Sequence, residues 1–187
     1  MTASNHTALY CAIFAAEAAL FYMAWRRGFR APGQLQEAFG LMDDSWRRRA
    51  IDVLAAAALW GAWMLIQSVV ANALPTPPHN VEGLLPHGLG DTVLWVVVSC
   101  AAGIAEELLF RGYLRRAFTT LTRNAFAAVL LQAVAFGVAH GYQGVAACVH
   151  ITIFGIIFGL VALYTRSLRI CMIAHAWTDI AAGLIGI

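Results

Sequence analysis

Two adjacent glutamates and an arginine, Glu106, Glu107 and Arg111, stand in the stretch IAEELLFRGYL from Ile104 to Leu114, inside an otherwise apolar run. Ionisable side chains in hydrocarbon are expensive, so a sequence that keeps three of them together marks a functional site. Glu107 and Arg111 are spaced i, i+4, on one face of a helix and able to pair. Glu106 is turned about 100° from Glu107 and is free to face something else.

Further along, FGVAH sets Phe136 and His140 at i, i+4, and HAWTD does the same for His175 and Asp179. Two glutamates, two histidines and an orienting carboxylate are the parts needed to activate a water and stabilise an oxyanion. A glutamate takes the water's proton as general base. A histidine positions that water, donates to the developing oxyanion or ligates a metal, and Asp179, one turn from His175, can fix its tautomer. Glu17 and His150 complete the polar inventory of the apolar runs. Glu17 reads as an acid facing the bundle, with a role beside an arginine such as Arg111 as the sharper alternative. His150 reads as a hydrogen-bonded packing residue or a second functional histidine. His79 and His87 lie in a proline-rich connection, where isolated histidines are more often solvated than metal-bound.

The elements that must hold these groups follow from composition. The chain has 187 residues, 61% hydrophobic and 12% charged, with a mean hydropathy of +0.72, too apolar for an ordinary soluble domain. Runs near the membrane-spanning length occur at roughly 7–25, 50–73, 92–114, 124–141, 145–164 and 170–187. The expected fold is therefore an all-α, polytopic membrane bundle of about six transmembrane helices, one domain over 1–187. Residues 1–91 form a two-span portion and 92–187 carry the three polar motifs. Between the first two spans, Leu35, Phe39, Met42 and Trp46 recur at helical spacing, predicting an amphipathic interfacial helix over about 34–49. Gly155 and Gly159 form a GxxxG step suited to close helix packing.

All 12 basic residues are arginines. They fall between spans 1 and 2, around the turn between spans 3 and 4, and between spans 5 and 6. The segments 1–6, 74–91 and 141–144 have none. The positive-inside rule then places both termini outside and three connections in the cytoplasm. The small net charge of +2 is a topology signal and excludes a nucleic-acid footprint. Asp52 is expected to pair with neighbouring arginines. Cys11, Cys100, Cys148 and Cys171 lie in apolar spans without a CxxC pair and read as packing residues. The first span lacks a basic leader and is followed by arginines, as an uncleaved anchor would be.

Geometry allows the motifs to meet. If spans 3 and 4 form a hairpin turning near Arg123 and Asn124, Glu107 and His140 are each about 16 residues, or about 25 Å, from the turn, hence level with each other. His175 is only about six residues, roughly 9 Å, past Arg169. The levels agree if the hairpin tip projects roughly 12 Å or more beyond the membrane, with the site nearer the cytoplasmic side.

EELLFR, FGVAH and HAWTD, in that order, resemble the EExxxR, FxxxH and HxxxN/D motifs of the CAAX protease and bacteriocin-processing (CPBP) family of intramembrane proteases. The resemblance covers about 92–187, half the chain. It implies an endopeptidase cutting near the C-terminus of a membrane-associated protein or peptide, in a bacterial plasma membrane. Glu106 would be the base for water together with His140, Glu107 and Arg111 supporting or substrate-orienting partners, and His175 with Asp179 the oxyanion-stabilising pair. Asp179 stands where the family commonly has Asn, and an ionised aspartate cannot donate to an oxyanion. Without an HExxH motif the expectation is a metal-free site. If zinc were bound, Glu106, His140 and His175 would hold it. A proton-coupled transporter and a non-catalytic immunity or scaffold protein are the competing classes.

Overall fold

The computed structural model describes residues 3–42, 45–73 and 82–185, with the backbone alone for residues 3–5 and 82. Every regular element among them is helical, as a chain in hydrocarbon must be to satisfy its backbone internally. In chain order these are α1 (Ala3–Gly28), α2 (Gln34–Ala38), α3 (Trp46–Ala73), α4 (Leu89–Glu106), a π-helical segment (Glu107–Leu114), α5 (Arg115–Thr122), α6 (Ala125–Ala139), α7 (Val145–Thr165) and α8 (Arg169–Ile185). Short 3-10 turns at Glu82–Leu84 and Gly141–Gln143 precede α4 and α7.

Four helices are long and apolar enough to cross a membrane: His6–Gly28, Trp46–Ala73, Leu89–Thr122 and Val145–Thr165. Two shorter ones, α6 and α8, pack among them and complete six apolar helices. Leu89–Thr122 runs through α4, the π segment and α5 without a break for 34 residues. At about 1.5 Å per residue it is about 50 Å long, some 20 Å more than the hydrocarbon thickness. That is enough length for the projecting hairpin that the level arithmetic requires. The hairpin turns at Arg123, which takes a left-handed conformation (φ 54°), and Asn124, whose side chain accepts from the Phe126 and Ala127 amides to cap α6.

Small residues set the close approaches. A Cβ on Gly103 of α4 would lie 2.9 Å from the Met172 carbonyl oxygen of α8. Gly155 and Gly159 of α7 both face α6, at Ala133 and Gln132, so the GxxxG step packs as expected. Gln132 is fully buried and donates to the carbonyls of Val129 and Gly155, binding the two helices together.

The helix expected over 34–49 is not continuous. Among the described residues between 34 and Trp46, which opens α3, only Gln34–Ala38 is helical; Gly40 takes a positive φ of 67°, and Met42 and Trp46 are exposed. The interruption has a partner: Arg169, at the start of α8, donates to the Phe39 carbonyl (3.0 Å) and the Gly40 carbonyl (2.5 Å). Helical residues could not offer those oxygens, because the next turn would use them. The same guanidinium reaches buried Asp52 at 3.2 Å, and Arg48 reaches it at 3.0 Å. Asp52 thus has the arginine partners expected of it, one of them from the far end of the chain. All four cysteines are free.

Candidate active site

The continuous helix changes pitch immediately after Glu106. The eight residues from Glu107 to Leu114 are π-helical, a geometry that is rare and recurs at functional sites. Widening the turn leaves Arg111 below Glu107, and Nη1 approaches Oε1 to 3.1 Å with both side chains wholly buried. The contact is an ion pair by distance and not an aligned hydrogen bond. Aromatic rings occupy the rest of the guanidinium's surroundings, Phe136 at 4.3 Å from Cζ and Phe154 at 5.4 Å. Cation–π attraction offsets part of the desolvation that a buried arginine incurs.

The same Glu107 oxygen lies 2.9 Å from Nδ1 of His175, brought in by α8. Because that oxygen also faces the Arg111 guanidinium, it is the acceptor and Nδ1 the donor of the bond. Nε2 of His175 therefore faces the site, 3.8 Å from Glu106 Oε2 and 3.6 Å from Asp179 Oδ2. The tautomer role foreseen for Asp179 falls instead to Glu107, and Asp179 faces the opposite ring nitrogen.

His140 ends α6. Its Nδ1 donates to the Phe136 carbonyl at 2.9 Å, which leaves Nε2, 4.0 Å from Glu106 Oε1, with a free lone pair in the neutral ring. Glu106 thus presents one oxygen to each histidine. Both separations exceed a direct hydrogen bond and have the span of a water-bridged contact. The arrangement can deprotonate a water at Glu106 and present His175 and Asp179 to the negative charge that forms.

All six candidate residues from the three motifs meet here: Glu106, Glu107, Arg111, His140, His175 and Asp179. Glu17 is also near: it is buried on α1, an acid facing the bundle as its first reading has it, and it is within electrostatic reach of Glu106, His175 and Asp179 and not of the arginine of the alternative reading. His150 is half-buried on α7, with no described contact to the site. His87 packs beside His6, ring centroids 5.2 Å apart, just before the start of α4 and at the end of that helix remote from Glu106; His79 lies outside the described residues. Sequence reasoning passed over Phe154 and Phe158, which stack at 3.7 Å between Arg111 and His175. Their i, i+4 spacing in an apolar helix was a usable signal. It also passed over Trp95, whose Nε1 donates to the Asp179 carbonyl at 2.9 Å and secures the C-terminal half of α8.

Among the described residues no group of three or more His, Cys, Asp or Glu has a geometry that could hold a metal ion. In the suggested trio of Glu106, His140 and His175, Nδ1 of His175 is already engaged by Glu107 and both Nε2 atoms stand 3.8–4.0 Å from Glu106. Zinc ligation needs donors within about 2 Å of one point, so these side chains would have to move inward together.

A family model described as Type II CAAX prenyl endopeptidase Rce1-like matches residues 88–181, half of the chain and all three motifs. No curated protein and no solved structure matches the chain.

Proposed function

The chain belongs to the Rce1-like family of type II CAAX prenyl endopeptidases, and on that premise we propose that it hydrolyses a peptide bond near the C-terminus of a membrane-associated protein or peptide. It is an integral membrane protein, and the family is one of peptidases. The reading places it in a bacterial plasma membrane with both termini outside and the site toward the cytoplasmic side.

One observation carries the mechanism: Glu106 offers one oxygen to each of two imidazole Nε2 atoms, at 4.0 and 3.8 Å. A water between Glu106 and His140 gives its proton to Glu106 and attacks the scissile carbonyl. His175 Nε2–H and a protonated Asp179 donate to the tetrahedral oxyanion. Glu107 holds His175 through Nδ1 and is itself held by Arg111, so neither touches the reacting atoms. No metal takes part in these steps.

The test is mass spectrometry of membrane proteins from cells with the wild-type chain or with Glu106→Ala or His140→Ala. Substrates that accumulate uncut with both variants support the reading. Processing that persists in both points to a non-catalytic scaffold, and a Glu106-dependent ion flux in proteoliposomes without proteolysis points to a transporter. Activity of the purified protein that survives a strong chelator supports the metal-free mechanism; loss restored by zinc overturns that part alone.

A further inference from the structure

α1 runs parallel to α4 at a constant offset. Residues 6 and 91 meet as an ion pair (3.1 Å), the rings of 10 and 95 lie 6.0 Å apart, and Gly28 abuts Tyr113, each pair 85 positions apart. That register puts Glu17 level with Ala102, one helical turn short of Glu106. Glu17 lies on the buried face of α1 with Tyr10 and Ala24, is 7% exposed, and is within electrostatic reach of Glu106, His175 and Asp179. Its Oε2 is buried with no hydrogen-bond partner among the described residues. A buried carboxylate oxygen left unpaired is costly, and packing alone would favour an apolar residue.

The acids here outnumber the cations. Arg111 answers Glu107, while Glu106 and Asp179 face Nε2 of His175 and Glu17 lies within electrostatic reach of all three; the other imidazole, His140, has its Nδ1–H engaged by the Phe136 carbonyl. Asp179 is protonated in the donor role proposed above and Glu106 takes up the water's proton, which leaves the unpaired carboxyl of Glu17 as the acid that favours a nearby cation. Peptide hydrolysis generates one. The C–N bond of the tetrahedral intermediate breaks, its electron pair stays on nitrogen, and the nitrogen takes the proton that Glu106 removed from water. The proton released by the new carboxylic acid then converts the amine to an ammonium.

We propose that Glu17 is a further catalytic residue, which accepts a hydrogen bond from the scissile nitrogen as it leaves and holds the resulting ammonium. The proposal rests on the peptidase reading above and assigns the unpaired carboxyl of α1 to the leaving-group side of that site. It predicts a dependence on the leaving atom. An amide leaves as a basic amine; an ester at the same bond leaves as an alcohol, which takes no positive charge.

The experiment compares a quenched fluorescent peptide with a prenylated CAAX end against the same peptide with an ester at the scissile bond. Both are cut by wild-type protein, Glu17→Gln and Glu17→Asp in detergent. Glu17→Gln should lower the amide-to-ester ratio of kcat about tenfold or more, as loss of a group acting on a transferring proton does, and Glu17→Asp should recover part of it. Equal loss on both substrates, or an unchanged ratio, overturns the proposal, since a structural role slows both alike. Ester turnover by Glu17→Gln also reports that the variant is folded. If Glu17→Gln fails to fold, the ratio in Glu17→Asp decides in the same way. If wild type cuts neither substrate, the peptidase reading itself falls, and this inference with it.

Discussion

His175 Nδ1 and Glu107 Oε1 lie 2.9 Å apart across 68 positions of sequence, and the same Glu107 oxygen is 3.1 Å from Arg111 Nη1. One carboxylate oxygen thus holds two cation-capable groups, one on its own helix and one on α8. Its neighbour Glu106 pairs with neither at bonding distance and turns one oxygen to each of the two imidazole Nε2 atoms. Adjacent, chemically identical residues are assigned different work by a rotation of about 100°.

Glu107→Gln and Glu106→Gln should therefore fail differently. Removing the Glu107 charge leaves Arg111 buried without a counter-ion, a loss of about 3–5 kcal/mol, visible as a lower unfolding temperature in detergent. Glu106→Gln should abolish turnover with the unfolding temperature close to wild type. Equal destabilisation by the two variants would contradict the division of labour.

Arg111→Lys keeps the charge and discards the plane that stacks on Phe136 at 4.3 Å. An ammonium is more strongly hydrated than a guanidinium and presents no flat face to the ring. A loss of about 1–2 kcal/mol is expected, with Phe136→Leu costing a comparable amount and the double variant less than the sum. Full additivity in that cycle would show that the ring and the guanidinium do not interact.

The polar groups were legible in the sequence because each interrupts an apolar run at a cost that packing does not explain, and because Glu107 with Arg111, Phe136 with His140 and His175 with Asp179 share the i, i+4 spacing. The hairpin was legible because Glu107 and His140 lie at equal distances along the chain from the turn at Arg123 and Asn124. The π segment was not, since a four-residue spacing fits α and π turns alike. The partner of His175 was hidden for a different reason: on α8 alone Asp179 is the nearby acid, and Glu107 arrives only when α4 and α8 close over Gly103. Similarly, Phe39 and Met42 fit a helical stripe, but the carbonyls of Phe39 and Gly40 are claimed by Arg169, some 130 positions away. Glu17 was legible as an anomaly, but only the parallel register of α1 and α4 says what it faces.

Gly103 is the contact on which that closure depends. An added Cβ would sit 2.9 Å from the Met172 oxygen, 3.0 Å from the Ala176 nitrogen and 3.2 Å from the Ala176 Cβ, so backbone must move. Gly103→Ala is expected to cost about 1–3 kcal/mol by overpacking. His175 lies between those two contact residues on α8, so turnover should fall further than stability does. Circular dichroism melts alongside peptide cleavage would separate the two effects; a variant with wild-type turnover would show that α8 can shift without moving His175.

Asp179→Asn tests what the carboxyl at this position contributes. The residue's backbone is fixed by Trp95, which donates to its carbonyl, and its Oδ2 stands 3.6 Å from His175 Nε2. An asparagine of the same shape supplies an N–H donor without first acquiring a proton, and it removes a negative charge from where an oxyanion must form. If Asp179 acts as a hydrogen-bond donor, Asp179→Asn should cleave at least as fast as wild type, while Asp179→Ala should lose about 100-fold or more, the scale of a missing oxyanion donor. An Asn variant as inactive as the Ala variant would mean that the charge itself is required, and the donor role would have to be given up for a base or ligand role.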